Sequence, residues 1–214
     1  MKLDTLEKTI RGEQLIFTNQ RALYWPKTKG LIISDLHIGK TAHFRKNGIP
    51  VPADLLVGDL ARLEELVQHF EAEHLYIVGD FLHAGKNTDF LIFEKWRARF
   101  PELLITIIKG NHDRYKPGFL EELGIDWEDN YLDERPFRLI HIPEDHEDLF
   151  SISGHLHPGV TVRLDRHSSL RLPCFRLSDQ QLILPAFSKF TGLDTQSCRD
   201  YRCIAFTEDL IFEL

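Results

Sequence analysis

The 214-residue sequence is short of cysteine, of long apolar runs and of positive charge, and each shortage closes a class of functions. Its three cysteines, Cys174, Cys198 and Cys203, are too few and too irregularly spaced for a disulfide framework or a thiolate zinc site. They read as reduced thiols of a cytoplasmic protein. No stretch approaches the ~20 apolar residues that a membrane-spanning helix needs. The opening MKLDTLEKTIRGEQ alternates in charge and lacks the apolar segment of a secretory leader, so a cytoplasmic protein without membrane association is expected. Repeats, low-complexity tracts and long linkers are missing too, and we expect one domain over residues 1–214. A net charge of −7 argues against a broad nonspecific nucleic-acid surface. It leaves a nucleic-acid substrate open, because bound divalent cations reverse the local sign.

What the chain does have is eleven histidines, several of them placed where apolar runs stop. LIISDLH (31–37), HLYIVGD (74–80), LLITIIKGNHD (103–113), FRLIHIP (137–143) and LFSISGHLH (149–157) each read as a buried strand that delivers polar residues at its carboxyl end. Helical patterns separate the first three. Leu56, Leu60, Leu63, Val67 and Phe70 recur at three- and four-residue spacing in 54–72. Asn87-Thr88-Asp89 can cap a helix bearing Phe90, Phe93, Trp96 and Phe100, with Pro101 ending it. A short helix over 118–123 closes at Gly124. Strands alternating with helices imply a largely parallel sheet, whose site gathers beyond the strands' carboxyl ends.

The C-terminal part differs. VTVRL (160–164), SLRLPCFRL (169–177), QLILPAF (181–187), YRCIAFT (201–207) and DLIFEL (209–214) are short, β-rich and separated by turn residues. They predict an antiparallel sheet packed on the parallel one. QLIFTNQRALYWP is expected to add a hairpin to that second sheet, turning near Asn19-Gln20. The expected fold is an α/β layered sandwich with two mixed sheets at its centre and helices flanking them.

Taken together the strand ends hold Asp35-x-His37, Gly79-Asp80, Gly110-Asn111-His112-Asp113, His141 and Gly154-His155-x-His157. Carboxylate, imidazole and amide oxygen without thiolate suit Mn, Fe or Zn. Seven such groups exceed one four-coordinate site and fit a metal pair sharing a carboxylate. The D-x-H and H-x-H spacings place alternate residues of extended backbone on one side. Gly79, Gly110 and Gly154 permit close backbone approach. His141 ends its strand, whereas the nearby His146 lies in the acidic run EDHED, so His141 is the candidate ligand.

This ordered set resembles the calcineurin-like metallophosphoesterase family, with motifs D-x-H, G-D, G-N-H-[DE], H and G-H-x-H spread over 31–157. The resemblance implies a two-sheet sandwich and two divalent metal ions. One would be held by Asp35, His37, Asp80 and His157, the other by Asp80, Asn111, His141 and His155, with Asp80 bridging. It further implies hydroxide attack on phosphorus between the ions. His112 would neutralise charge and protonate the leaving oxygen, and Asp113 would hold the His112 ring.

SDLHIGKTAHFRKNGIPVP, SGHLHPGV, LRLPCF and LPAFSKFTG are similar to the DNA-ligase-associated bacterial metallophosphoesterases, except for Ser188, where a glycine is expected. That subgroup implies a DNA-repair phosphodiesterase or endonuclease working beside an ATP-dependent DNA ligase, a helicase and an exonuclease-like protein. In the DNA-repair nuclease branch the histidine of G-D-x-x-H, here His83, positions substrate; an ordinary loop histidine is the competing reading. His43, Lys40 and Arg45 are candidates for approaching the site and its phosphates, against a plain solvated loop. A basic rim of Lys40, Arg45, Lys46, Lys86, Arg114 and Lys116 would dock nucleic acid. A small-molecule phosphoesterase and a noncatalytic repair scaffold are the alternatives. Manganese is the preferred metal, with iron or zinc also fitting.

Overall fold

In the computed structural model the described residues are 2–52, 54–83, 87–113, 118–195 and 201–214, with the Phe119 side chain set aside. Lys86, Arg114, Lys116 and Cys198 lie outside them. The chain opens with β1 (Thr5–Ile10), β2 (Glu13–Thr18), β3 (Leu23–Trp25) and β4 (Gly30–Ser34). Two helices follow, α1 (Lys40–Lys46) and α2 (Leu55–His69), then β5 (His74–Val78), α3 (Thr88–Arg97), β6 (Leu104–Ile108), α4 (Gly118–Glu121) and β7 (Ile125–Glu128). All seven strands form one sheet in chain order, antiparallel through β4 and parallel from β4 to β7.

The parallel strands are rich in β-branched residues because both their faces are covered. Leu31 and Ile33, Leu75 and Ile77, and Ile105 and Ile107 pack against α2 and α3. The alternate residues Ile32, Tyr76, Val78 and Ile108 pack into the space between the sheets. α2 contributes Leu56, Leu60, Leu63 and Val67 at the predicted spacing, together with Leu66. α3 starts where Asn87 accepts hydrogen bonds from the Asp89 and Phe90 backbone amides, and buries Phe90, Phe93 and Trp96. Burying such a side chain contributes roughly 1.5–3 kcal/mol before entropy is counted.

The remaining strands are β8 (Tyr131–Glu134), β9 (Phe137–Ile140), β10 (Phe150–Ser153), β11 (Gly159–Arg163), β12 (Ser169–Leu177), β13 (Gln181–Ile183), β14 (Arg202–Phe206) and β15 (Ile211–Glu213). They form the second sheet, ordered β15-β14-β12-β13-β10-β9-β8, with β11 paired only to β12. β9, β10 and β13 are mutually parallel at its centre and the outer pairs are antiparallel, so this sheet is mixed as well. Phe137, Phe150, Ile152, Phe175, Leu182 and Ile204 face the first sheet.

Two local expectations fail. The N-terminal hairpin turns at Asn19–Gln20 but belongs to the first sheet. β3 leads through a tight turn at Pro26–Thr28 directly into β4, pairing Leu23 with Ile32 and Tyr24 with Leu31. So short a connection makes neighbours of consecutive strands. The hairpin meets the second sheet face to face instead, through Leu15, Phe17, Leu23 and Trp25. The stretch after His37, expected as a loop, is helical at α1, whose Thr41 hydroxyl donates to the buried Asp89 carboxylate at 2.7 Å.

Candidate metal centre

Every polar motif lies immediately past a strand's carboxyl end: Asp35 after β4, Asp80 after β5, Asn111 after β6, His141 after β9, and His155 and His157 after β10. The physical basis of the spacing differs from the expected one. Asp35, His37, Asp80, His155 and His157 all have positive φ, from 45° to 71°. The D-x-H and H-x-H residues are therefore not alternating on extended chain; two left-handed residues flank one ordinary residue in a tight curl that turns both side chains inward. Hydrogen bonds hold the curls. His37 donates its backbone N–H to the Asp80 carbonyl at 2.8 Å, and Asp35 donates to the Gly79 carbonyl at 3.2 Å. His155 donates its N–H to Asp35 Oδ2 at 3.0 Å, which joins the two sheets. Ser188, the departure from the subgroup's pattern, is buried and donates its N–H to the Asp35 carbonyl at 3.3 Å.

Three glycines are required by this crowding, Gly154 among them because its Cβ would meet Asp35 Oδ2 and Ser34 Cβ at 2.7 Å. A Cβ on Gly79 would fall within the His141 ring, and one on Gly110 would collide with the Asp80 backbone nitrogen and Oδ1.

Two groups of donor atoms result, each with its atoms within 4.8 Å of one another: Asp35, His37 and His157, and Asp80, His141 and His155. His157 Nε2 stands 3.3 Å from Asp35 Oδ1, and His141 Nε2 stands 3.5 Å from Asp80 Oδ1. Asn111 Oδ1 is 2.9 Å from His141 Nε2, which places it with the second group. Both ring nitrogens of His37 are buried without hydrogen-bond partners, and Asp35 Oδ1 and His157 Nε2 face only each other. Orphaned buried polar atoms are costly unless something compensates them, and convergent oxygen and imidazole donors fit divalent cations.

The electrostatics agree. Burial holds the His37 imidazole down to about 3, with the Lys40 charge adding to the effect, so the ring is neutral at physiological pH. Burial pushes the Asp35 carboxyl up, but the His157, His141 and His37 rings outweigh it and the net shift is downward. His155 is lowered by burial and by the neighbouring His141. Neutral imidazole and ionised carboxylate are the protonation states that bind metal.

Around this centre the candidates separate. His112 is exposed at the rim, with its Nε2 4.0 Å from Asp80 Oδ2 and its backbone N–H donating to Asp80 Oδ1 at 3.0 Å. His83 sits among other histidines, its ring 5.2 Å from that of His112, 5.6 Å from His43 and 6.0 Å from His37. Lys40 is half-buried, its ammonium 5.9 Å from the Phe190 ring centroid; burial lowers its pKa while the charges of Asp35 and Asp80 oppose the shift. Arg45 is committed elsewhere, pairing with Asp89 at 3.2 Å, and Lys46 is exposed on α1.

Asp113 does not hold the His112 ring. Its carboxylate accepts backbone N–H groups from Gly110 at 2.8 Å, Leu82 at 2.8 Å and Phe81 at 3.3 Å. It ties the turn after β6 to the turn after β5, and burial raises its carboxyl to about 6 against those donors. The three-residue reach from Asp113 back to Gly110 is a local turn that the sequence reading overlooked.

A family model described as calcineurin-like phosphoesterase matches residues 29–197. Among solved structures, the Pseudomonas putida nuclease MPE is similar with a TM-score of 0.81 and 32% identity, over 99% of this chain and 100% of that one. AQ665, a protein of unknown function from Aquifex aeolicus, aligns at 0.43 and 19% identity over 65% of this chain and 81% of its own. Yfce, a phosphoesterase from E. coli, aligns at 0.45 and 17% identity over 86% and 97%. A search of curated proteins gives no match.

Proposed function

The chain belongs to the calcineurin-like phosphoesterase family and is a metal-dependent hydrolase, and from that premise we propose that it is a manganese-dependent phosphodiesterase that cleaves nucleic acid in DNA repair. The observation that carries the reading is the pair of ligand groups lying side by side, with His112 exposed at their rim. The full-length similarity to a protein named a nuclease supports the choice of nucleic acid.

Asp35, His37, Asp80 and His157 would hold one ion, and Asp80, Asn111, His141 and His155 the other. Two divalent ions lower the pKa of water and clamp phosphoryl oxygens. Oxygen and imidazole donors favour manganese, and iron or zinc fit the same set. The protein's own groups do the rest. The left-handed curls fix the donor directions. Exposed His112 reaches the substrate side and donates a proton to the leaving oxygen. Half-buried Lys40 offsets phosphate charge, and His83 and His43 line the approach. The loop phrases shared with the ligase-associated subgroup support a setting beside an ATP-dependent DNA ligase, a helicase and an exonuclease-like protein.

The test is hydrolysis of an aryl phosphodiester, an aryl phosphomonoester and single-stranded DNA by the manganese-loaded protein. Chelated protein and His112→Ala serve as controls. Cleavage of diester and DNA that both controls lose is expected. Turnover of the monoester alone would reassign the substrate to small phosphate esters, and no turnover with two metals bound would leave a scaffold.

A further inference from the structure

One hairpin extends the second sheet off its main path. β11 pairs only with β12, and every residue from 163 to 171 is exposed. The register pairs Thr161 with Arg171, Val162 with Leu170 and Arg163 with Ser169. Alternation then sorts the hairpin into two faces. Val160, Val162 and Leu172 pack toward Cys174, Cys203, Ala205 and Phe212. Thr161, Arg163, Ser169 and Arg171 occupy the opposite face.

The charge is as uneven as the apolarity. Residues 159–171 hold three arginines against one carboxylate, a net of +2 in a chain whose total is −7. That carboxylate, Asp165, accepts the backbone N–H groups of His167 at 2.7 Å and Ser168 at 2.9 Å, so it builds the turn. Arg163, Arg166 and Arg171 form no ion pair among the described residues. Arg45, Arg62, Arg99, Arg138, Arg176 and Arg202 have carboxylate partners among the described residues, whereas these three, like exposed Arg135, have none, and here they are gathered on one hairpin.

The base of the hairpin is built into the metal centre. The strand begins two residues after His157. Asp194 donates its N–H to the His157 carbonyl at 3.0 Å and accepts the Gly159 N–H at 2.8 Å. The fully buried Arg176 of β12 pairs with the Asp194 carboxylate at 3.0 Å and reaches the Gly159 carbonyl at 3.4 Å. One clamp therefore fixes both His157 and the start of β11. At ~3.3 Å per extended residue, Arg163 lies within roughly 20 Å of His157 along the chain.

We propose that the β11–β12 hairpin is a nucleic-acid grip, whose Arg163, Arg166 and Arg171 bind backbone phosphates of a strand while its scissile bond lies at the metal centre. Guanidinium suits phosphate through its planar, forked donors, and unpaired arginines need lose no existing partner on binding. The sign of the surface also explains how a chain of this net charge takes a polyanion: the attraction is concentrated on one arm, Lys40 and the metals. Such contacts are to phosphate and carry no base preference. This inference rests on the nucleic-acid reading of the active site.

The experiment compares manganese-loaded wild type with the triple variant Arg163→Gln, Arg166→Gln, Arg171→Gln. The readouts are aryl phosphodiester hydrolysis, single-stranded DNA cleavage, and binding of a fluorescein-labelled oligonucleotide across a salt series. Binding is followed with His112→Ala in both backgrounds to slow cleavage. The triple variant should keep aryl diester turnover and thermal midpoint. Its DNA affinity should fall roughly 10²-fold near 0.1 M salt, and the salt dependence should flatten by about two. Unchanged DNA binding and cleavage would overturn the grip while leaving the nuclease reading intact. Loss of aryl diester turnover as well would overturn it by making the arm a support of the metal centre. A wild type that hydrolyses the aryl diester but neither binds nor cleaves DNA would overturn both readings together.

Discussion

The two donor groups of the metal centre are built alike and hydrogen-bonded differently. Each draws residues from both sheets. In the group of Asp35, His37 and His157, both ring nitrogens of His37 are buried without partners, and Asp35 Oδ1 and His157 Nε2 have only each other. In the group of Asp80, His141 and His155 the same kinds of atom are engaged: His141 contacts Asn111 and the Val78 carbonyl, and Asp80 Oδ1 takes the His112 amide. In the first group Asp35 takes the His155 amide and faces His157 Nε2, but the His37 ring has no protein partner and only a cation would satisfy it. The second is partly satisfied by protein and must give up the His141–Asn111 contact to bind an ion through both. An unmade buried hydrogen bond costs more than a made one gains, so the first group should bind its ion more tightly.

Substitution can break this comparison. Asp80→Asn is expected to have the largest effect, since the residue would serve both groups: metal content, read by elemental analysis, should fall below one ion per chain and turnover should vanish. His37→Ala and His141→Ala sharpen the contrast. If the groups are independent, each leaves about one ion, and the ion left in His141→Ala is the harder to remove with chelator. Equal resistance in the two variants would refute the ranking.

A smaller effect is expected outside the ligand set. His112→Ala should retain both ions and slow diester turnover on the order of 10²–10⁴-fold, as removal of a general acid does. Metal loss equal to that in His37→Ala would show that His112 belongs to a donor group instead.

The smallest effects are on the metal-free protein and are read from thermal midpoints against pH. His37 is held near 3, below the ordinary histidine value, so the unfolded chain takes up a proton that the folded chain refuses. Its contribution is full above about pH 6.5 and is lost as pH falls toward 3. Asp113 has the opposite sign. Its carboxyl, raised to about 6, is protonated in the folded chain first, so its contribution grows as pH falls from about 7 to 4. Asp113→Asn lacks that gain, and the stability gap between wild type and variant should widen on acidification. A gap that narrows would reverse the assigned shift.

Much of the first sheet was legible because its strands carry a continuous apolar signal and its helices a spaced one. The metal candidates were legible as residue types at strand ends, which is a property of order along the chain. What was not legible depends on closure in three dimensions. The N-terminal hairpin was assigned to the wrong sheet because alternation tells which residues are buried and not against what. α1 was hidden because KTAHFRK has no apolar face of its own; it is held by Asp89, forty-odd residues away. The left-handed curls were hidden because aspartate and histidine do not announce positive φ as glycine does. Asp113 was given to the ring beside it in sequence when its partners are amides across the turn.

Those curls carry a consequence for how the protein tolerates change. Left-handed backbone costs a residue with a side chain about 1–3 kcal/mol, and here the cost falls on Asp35, His37, Asp80, His155 and His157. Glycine at any of them would relieve the backbone and remove a donor in the same step. Durability and chemistry thus pull against each other at single positions, whereas Arg11, Arg21, Lys29 and Glu71 share the left-handed backbone without a place among the donors.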